Sequence, residues 1–361
     1  MQGKTVKILA INPGSTSTKI AVYQEQVCVY LKTIRHAHEE LNKFPKVVDE
    51  FEFRKKLIFK ELTEENVHPG DIDFVIGRGG LTYPLESGVY EVNEKMVAHC
   101  REGVQGMHAS NLGPMLAYFI AMQVPGCKAL VADPVVADEL EEIARVTGHP
   151  KFSRTSVYHA LNQKAIARVH ARSVHSRYED MNLIVAHLGS GVSVGAHKSG
   201  RVIDVNNAFD GEGPMSPERS GTLPAGQLID LCFSGNYSRE EVRSMVVGEG
   251  GYLAHLGTND ARKIEKMRLQ GDAKAQFMEE VLGYQVAKSI GEMATVLEGK
   301  VHGILITGGM AYVKYLVHLI KKRVEFIAPV TIYPGEDEMS AMAMNALRVA
   351  HGAVKPLVYD K

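Results

Sequence analysis

The most regular alternation of apolar and polar positions lies near the start of the chain. Residues 7–24, KILAINPGSTSTKIAVYQ, run as an apolar strand, a tight turn crowded with glycine and hydroxyls, and a second period-2 strand carrying Lys19. Residues 27–32 extend the hairpin to a three-stranded antiparallel meander. Residues 39–66 predict helix, interrupted near Pro45, with Phe51, Leu57, Ile58 and Leu62 as its apolar stripe. A strand over 72–76 follows, then a capped helix start at His108-Ala109-Ser110-Asn111 with Leu112, Met115, Leu116, Phe119 and Ile120 at helical spacing, and a strand over 129–132. Alternation to this point reads β-β-β-α-β-α-β-α.

The pattern then repeats. Residues 183–190, LIVAHLGS, match residues 8–15, ILAINPGS, in plan: apolar strand, polar residue, Gly-Ser turn, then a hydroxyl-bearing strand, Val192-Ser193-Val194. Before this copy, residues 154–173 predict a helix with Tyr158, Leu161, Ala165 and Val169 inward and His159 beside them; a lone histidine there is usually a satisfied structural residue. After it come a strand over 201–205, a long Gly/Pro-rich segment over 206–225, a helix over 275–297, strands over 303–306 and 330–333, and a terminal helix. The Met-rich stretch 339–344 fits an interface or a core equally well. A duplicated strand–turn–strand unit predicts an α/β protein of two related domains with a nucleotide in the cleft between them.

Composition narrows the classes. At 361 residues the chain is long enough for two cores, and 45% hydrophobic with 23% charged residues is ordinary for a globular protein. A formal net charge of −1 offers no field to recruit nucleic acid or an anionic membrane, so neither is expected as a partner. Cys28, Cys100, Cys127 and Cys232 lie scattered without a CxxC pair, against a zinc site or disulfide framework. With no signal-peptide pattern and no membrane-spanning apolar run, a cytoplasmic location is expected.

The candidate chemistry sits at turns. Asn12, Gly14, Ser15, Thr16, Ser17 and Thr18 offer backbone N–H groups and short hydroxyls that suit a polyphosphate and its hydrated metal, with Lys19 adding a point charge. A Walker A loop is excluded, because there the lysine opens a helix and here it opens a strand. Arg78 stands between glycines at the end of a strand, where open α/β sheets place ligands and where a guanidinium can grip two oxygens of an anion. Asp133 ends the 129–132 strand, a place for a metal-organising or base carboxylate and equally for a turn former before Pro134. Arg219 in the 206–225 segment is a second anion-binding candidate, and Thr307-Gly308-Gly309 forms a corner at which a nucleoside could lie against bare backbone.

Taken together, the strings INPGSTSTK, GRGG, HASNLGP, HLGSG, ERSG, GTNDAR and TGG, in this order over nearly the whole chain, resemble the acetate and butyrate kinase family. NPGSTSTK and GGYLAHLGTNDAR are similar to its butyrate-type members. The resemblance implies the duplicated ribonuclease-H-like β-β-β-α-β-α-β-α fold shared with sugar kinases, heat-shock ATPases and actin, with domains over 1–152 plus 338–361 and over 153–337. It implies ATP and ADP as substrates with Mg²⁺, a short-chain carboxylate or acyl phosphate as the other partner, and a homo-oligomer, dimer or larger. Asn12 would approach the metal, and Gly14, Ser15, Thr16, Ser17 and Lys19 the phosphates. Arg78 would bind the acyl group, Arg219 would stabilise the transferring phosphoryl, and Asp133 would organise the metal. His187, Gly189, Ser190 and Gly191 would form the second phosphate loop, Asp260, Arg262, Gly308 and Gly309 would surround adenosine, and Glu338 would help hold Mg²⁺, with Glu336 and Asp337 as alternatives.

Three departures from the family pattern stand out. RTSVYHAL keeps only His159 where acetate kinases carry two histidines in H-G-x-S-H, so the family's transition-state histidine has no clear counterpart; the loop after Gly308 reads Gly309-Met310-Ala311-Tyr312 instead of G-x-G-E-N; and the acidic cluster aligns in three ways. The expected reaction is reversible phosphoryl transfer from ATP to butyrate. Other short or branched acids, and a nucleotide sensor or slow ATPase without acyl transfer, are the alternatives.

Overall fold

The computed structural model describes residues 5–361. They divide into two compact units, residues 5–137 with Asp337–Lys361, and Asp138–Glu336.

In the first unit, β1 (Lys7–Pro13), β2 (Ser17–Gln24) and β3 (Val27–Arg35) form the antiparallel meander, and the Asn12–Lys19 pair closes on the hydroxyl-rich turn. The short α1 (His38–Leu41), a 3-10 turn and α2 (Phe51–Glu64) follow, so the expected 39–66 helix is broken around Pro45. β4 (Phe74–Gly77) lies parallel to β1. Next come β5 (Val89–Glu91) and α3 (Glu94–Glu102), which the sequence pattern did not disclose, then α4 (Leu112–Ala121) and β6 (Lys128–Ala132), parallel to β4. α4 seats directly on the end of β4 because both contact points are glycine: a Cβ on Gly77 would come 2.5 Å from the Gly113 carbonyl carbon. Asn111 pins the adjoining turn, accepting from the Leu81 N–H at 2.9 Å and donating to Cys100 O and Gly106 O.

The second unit opens with α5 (Glu142–Arg145) and α6 (Ala160–Ser173). The expected 154–173 helix therefore starts six positions late: the Arg154 guanidinium is spent on Asp204 Oδ1, Glu212 Oε2 and the carbonyls of Ala144 and Val205, which ties the start of this stretch outside the helix. Its inward face also differs, with Leu161, Lys164, Ala167 and Ala171 buried and Val169 exposed. β7 (Asn182–Leu188), β8 (Val192–Lys198) and β9 (Arg201–Val205) form the second meander. The irregular stretch after β9 gives way to α7 (Ala225–Cys232), α8 (Arg239–Val246), α9 (Gly251–Leu256), α10 (Ala261–Leu269) and the long α11 (Ala273–Val296). β10 (Gly303–Gly308), α12 (Lys314–Val324) and β11 (Val330–Pro334) complete the unit, with β10 parallel to both β7 and β11. α13 (Glu338–Ala350) and β12 (Leu357–Val358) return to the first unit, where Met339 and Met342 are buried in its core.

The strand orders reveal the duplication. The second sheet runs β11-β10-β7-β8-β9, and the first contains the same arrangement as β6-β4-β1-β2-β3, extended at one edge by β5 and β12. The first boundary falls earlier than the expected residue 152. Residues 138–153 are strapped to the second unit, with Glu139 Oε2 accepting from Val202 N–H and pairing with Lys164 Nζ, and Glu141 N–H donating to Ile203 O.

Candidate active site

In the first unit, the turn between β1 and β2 exposes Ser15, Thr16 and Lys19, while Asn12 is half-buried. Asn12 Nδ2 donates to Glu338 Oε2 at 2.6 Å, and the Arg78 guanidinium pairs with Glu338 Oε1. Asn12, Arg78 and Glu338, which lie far apart in the chain, are thus joined at the ends of β1, β4 and the start of α13. Arg78 keeps its Nε buried without a hydrogen-bond partner. Asp133 is buried at the end of β6, accepts from the Ser87 hydroxyl, and has φ of +39°, a left-handed conformation that aspartate and asparagine adopt more readily than other residues with a side chain. The next residue, Pro134, packs on Gly79, so the Asp133 corner is built against the Arg78 turn.

The alternatives within 336–338 separate cleanly. Glu336 lies 3.3 Å from His187 Nε2 in the second unit, Asp337 caps α13 by accepting from Ser340 N–H at 2.9 Å, and Glu338 faces Asn12 and Arg78. Glu338 with the amide of Asn12 supplies hard oxygen donors in the number that Mg²⁺ takes from protein when phosphates and water complete its shell.

In the second unit the loop after β7 is the centre. His187 is fully buried, its Nδ1 donating to Asn162 Oδ1 at 2.8 Å, and its ring stacks on His159 at 3.8 Å between centroids. Arg219 lies across Gly191: a Cβ there would collide with the guanidinium and stand 3.3 Å from His159 Cε1, so only glycine admits both side chains. Arg219 Nη1 donates to Ala208 O at 2.6 Å and the guanidinium covers the Phe209 ring at 5.3 Å. Its Nε is buried without a hydrogen-bond partner, and burial pulls its pKa below the ordinary arginine value against the opposing charge of Glu218.

Gly189, Ser190, Asp260, Arg262 and Gly309 line one cavity of about 280 Å³ together with Glu336. Asp260 caps α10 and its carboxylate holds the exposed Arg262 at 3.2 Å, which keeps the Asp260 pKa low. Gly308 does not reach this cavity; it is buried at φ of +92° beneath the Leu188 backbone, and Gly309 alone of the pair faces the opening. A larger cavity of about 690 Å³ contains none of the expected residues, and its Arg154 is already paired with Asp204 and Glu212.

Sequence reasoning missed the setting of His159. Gln163 Nε2 donates to the Ser193 carbonyl at 3.1 Å and to Ser193 Oγ at 2.8 Å, and a carbonyl can only accept, so Gln163 Oε1 must face His197 Nε2, which donates to it at 2.9 Å. His197 Nδ1 then accepts from Tyr178 OH, and burial keeps this ring neutral by holding its pKa well below the usual range. Ser193 Oγ, accepting from Gln163, also shares a hydrogen bond with His159 Nδ1 at 2.9 Å. The sequence signal was there: two polar residues, Ser193 and His197, on a strand whose other positions through Ala196 are apolar or glycine.

The chain is similar to several known proteins. The acetokinase family profile matches residues 152–327. Butyrate kinase 2 of Clostridium acetobutylicum is 53% identical over 96% of this chain and 97% of its own length. The probable butyrate kinase of Bacteroides thetaiotaomicron is 50% identical over 98% of this chain and all of its own length. Among solved structures, Porphyromonas gingivalis acetate kinase superposes with a TM-score of 0.77 at 18% identity, covering 96% of this chain and 100% of that one. A propionate kinase from Francisella tularensis gives 0.73 at 17% identity, covering 94% and 98%. With the site motifs in place and half of all positions shared with butyrate kinases along nearly the full length, the chain belongs to the acetokinase family.

Proposed function

We propose that the protein catalyses reversible phosphoryl transfer between ATP and butyrate, giving butanoyl phosphate and ADP. A carboxylate oxygen of butyrate bonds to the γ-phosphorus while the bond from that phosphorus to the β–γ bridging oxygen breaks, and ADP leaves with the electron pair. The acceptor is already ionised at neutral pH, so no strong general base is required. What the reaction needs is cancellation of repulsion between two anions and stabilisation of charge on the equatorial phosphoryl oxygens.

The observation that carries this reading is Arg219. It is a largely buried guanidinium laid across the glycine of a Gly-Ser-Gly loop, held by a carbonyl and an aromatic face, with no carboxylate in ion-pair contact among the described residues. Such a cation is built to meet an anion that arrives. In this account Arg219 stabilises the phosphoryl group in flight, with the His159 ring beside it across Gly191. Gly189, Ser190 and Gly191 line the phosphate path with His187, and the cavity bounded by Asp260, Arg262 and Gly309 takes adenosine, with Gly308 shaping its corner. In the first unit Arg78 binds the acyl carboxylate, and Gly14, Ser15, Thr16, Ser17 and Lys19 meet phosphate. Asn12 and Glu338 hold Mg²⁺, which shields phosphate charge when bound, and Asp133 organises that corner. The location that fits ATP supply is the cytoplasm; no helix of the described residues is long and apolar enough to cross a membrane.

Replacing Arg219 by alanine is expected to cost about 3–4 kcal/mol in kcat/KM, on the scale of other charge-stabilising donors. Steady-state kinetics on the folded variant check this. Turnover near that of the parent would remove Arg219 from the mechanism.

A further inference from the structure

The apolar stripe of α2 contains a charge. Its buried positions are Phe51, Arg54, Ile58 and Leu62, and Arg54 is completely buried. An arginine in such a place must spend its donors. Nε donates to Glu50 Oε2 at 2.8 Å and Nη2 lies 2.6 Å from the same oxygen. The remaining donors all go to the turn between β1 and β2. Nη1 reaches Gly14 O at 2.7 Å, Ser17 O at 3.0 Å and Thr18 Oγ1 at 3.1 Å, and Nη2 reaches Ser15 O at 3.3 Å. Thr16 O is taken by the His36 N–H at 2.9 Å, and Ser17 O also accepts from Gly14 N–H at 2.7 Å.

The carbonyls of Gly14, Ser15 and Ser17 are therefore drawn inward to Arg54, while that of Thr16 is held by the His36 backbone. A peptide whose carbonyl points in must present its N–H on the opposite side, and Ser15 and Thr16 are exposed. We propose that Arg54, with Glu50 fixing its plane, is the positioning residue of the first phosphate turn: it sets the turn's peptide orientation so that the exposed N–H groups converge on a phosphate. The proposal rests on the assignment of this turn to phosphate made above. Lysine could not substitute, because one ammonium has three donors, no planar fork, and cannot span Glu50 and three carbonyls together.

The test compares three variants by kcat/KM for Mg-ATP, KM for butyrate and melting temperature, with kinetics taken well below each variant's Tm. Arg54→Ala and Arg54→Lys are expected to lose about 100-fold in kcat/KM for Mg-ATP with KM for butyrate unchanged, as a misplaced binding element does. Guanidinium ion at millimolar concentration is expected to restore part of the alanine variant's activity and none of the lysine variant's. Should Arg54→Ala fail to fold, Arg54→Lys carries the comparison. An Arg54→Lys protein with lowered Tm and parental kinetics would overturn the proposal, leaving Arg54 a scaffold residue. Lys19→Ala separates the two claims. Loss with Lys19→Ala but not with the Arg54 variants overturns the positioning role alone, and parental kinetics for Lys19→Ala overturns the assignment of the turn to phosphate.

Discussion

At the scale of single residues, the account depends on where side chains are excluded. Gly191 is such a place, because Arg219 and His159 occupy the space its Cβ would need. Gly191→Ala is expected to push the guanidinium aside and reduce kcat by about 100-fold, with little change in Tm because the moving group is a side-chain end. Kinetics and a thermal melt on the same preparation check both halves. Asp133 supplies a different contrast. Its φ of +39° suits asparagine and penalises alanine. Asp133→Asn should keep the melting temperature and lose activity, whereas Asp133→Ala should lose activity and about 1–3 kcal/mol of stability as well. The motifs were legible at this scale: the glycines of GRGG and HLGSG, and both arginines, stand out in the sequence. Their partners were not. Ser87 and Gln163 carry no local signature, since what makes them matter is a strand or helix brought alongside by the fold.

At the scale of elements, the period-2 hairpins and the apolar helical stripes announced themselves, and short or overruled elements did not. β5 spans only Val89–Glu91, too few positions to show alternation, and pairs antiparallel with β6. α3 did leave signals, an Asn93 cap and a left-handed Gly103 at its end. The start of α6 was hidden because the bonds of Arg154 override local propensity. Arg54 stands on the core face of α2 at the spacing of Phe51, Ile58 and Leu62, a charge that the apolar stripe read from the sequence did not include. The same cluster gives a pH prediction. His36 is buried against Thr18 and Arg54, and burial, aided by the Arg54 charge, lowers its pKa from 6.5 to about 4. Between these values the unfolded chain binds a proton that the folded chain refuses, so stability rises with pH through the window and is lost as pH falls from about 6.5 toward 4. His36→Gln should flatten the dependence of Tm on pH in this range relative to the parent. An unchanged slope would mean that His36 does not carry this acid sensitivity.

At the scale of the whole molecule, duplication was the most informative feature. Two copies of one strand–turn–strand plan predicted two related units, and the shared strand order in the two sheets expresses that relation. The additions, strands β5 and β12 in the first unit and helices α7 to α10 in the second, elaborate each copy differently. A protein that only sensed ATP would need no acyl-anion site of the kind proposed at Arg78. The central claim is acyl transfer with butyrate as acceptor. Its most direct test is acyl phosphate formation, trapped as the hydroxamate, with Mg-ATP and a series of straight and branched acids from acetate to valerate. The account predicts acid-dependent product that peaks at butyrate. A peak at acetate or propionate would contradict the substrate, and no acid-dependent product from protein that still binds ATP would contradict the reaction itself.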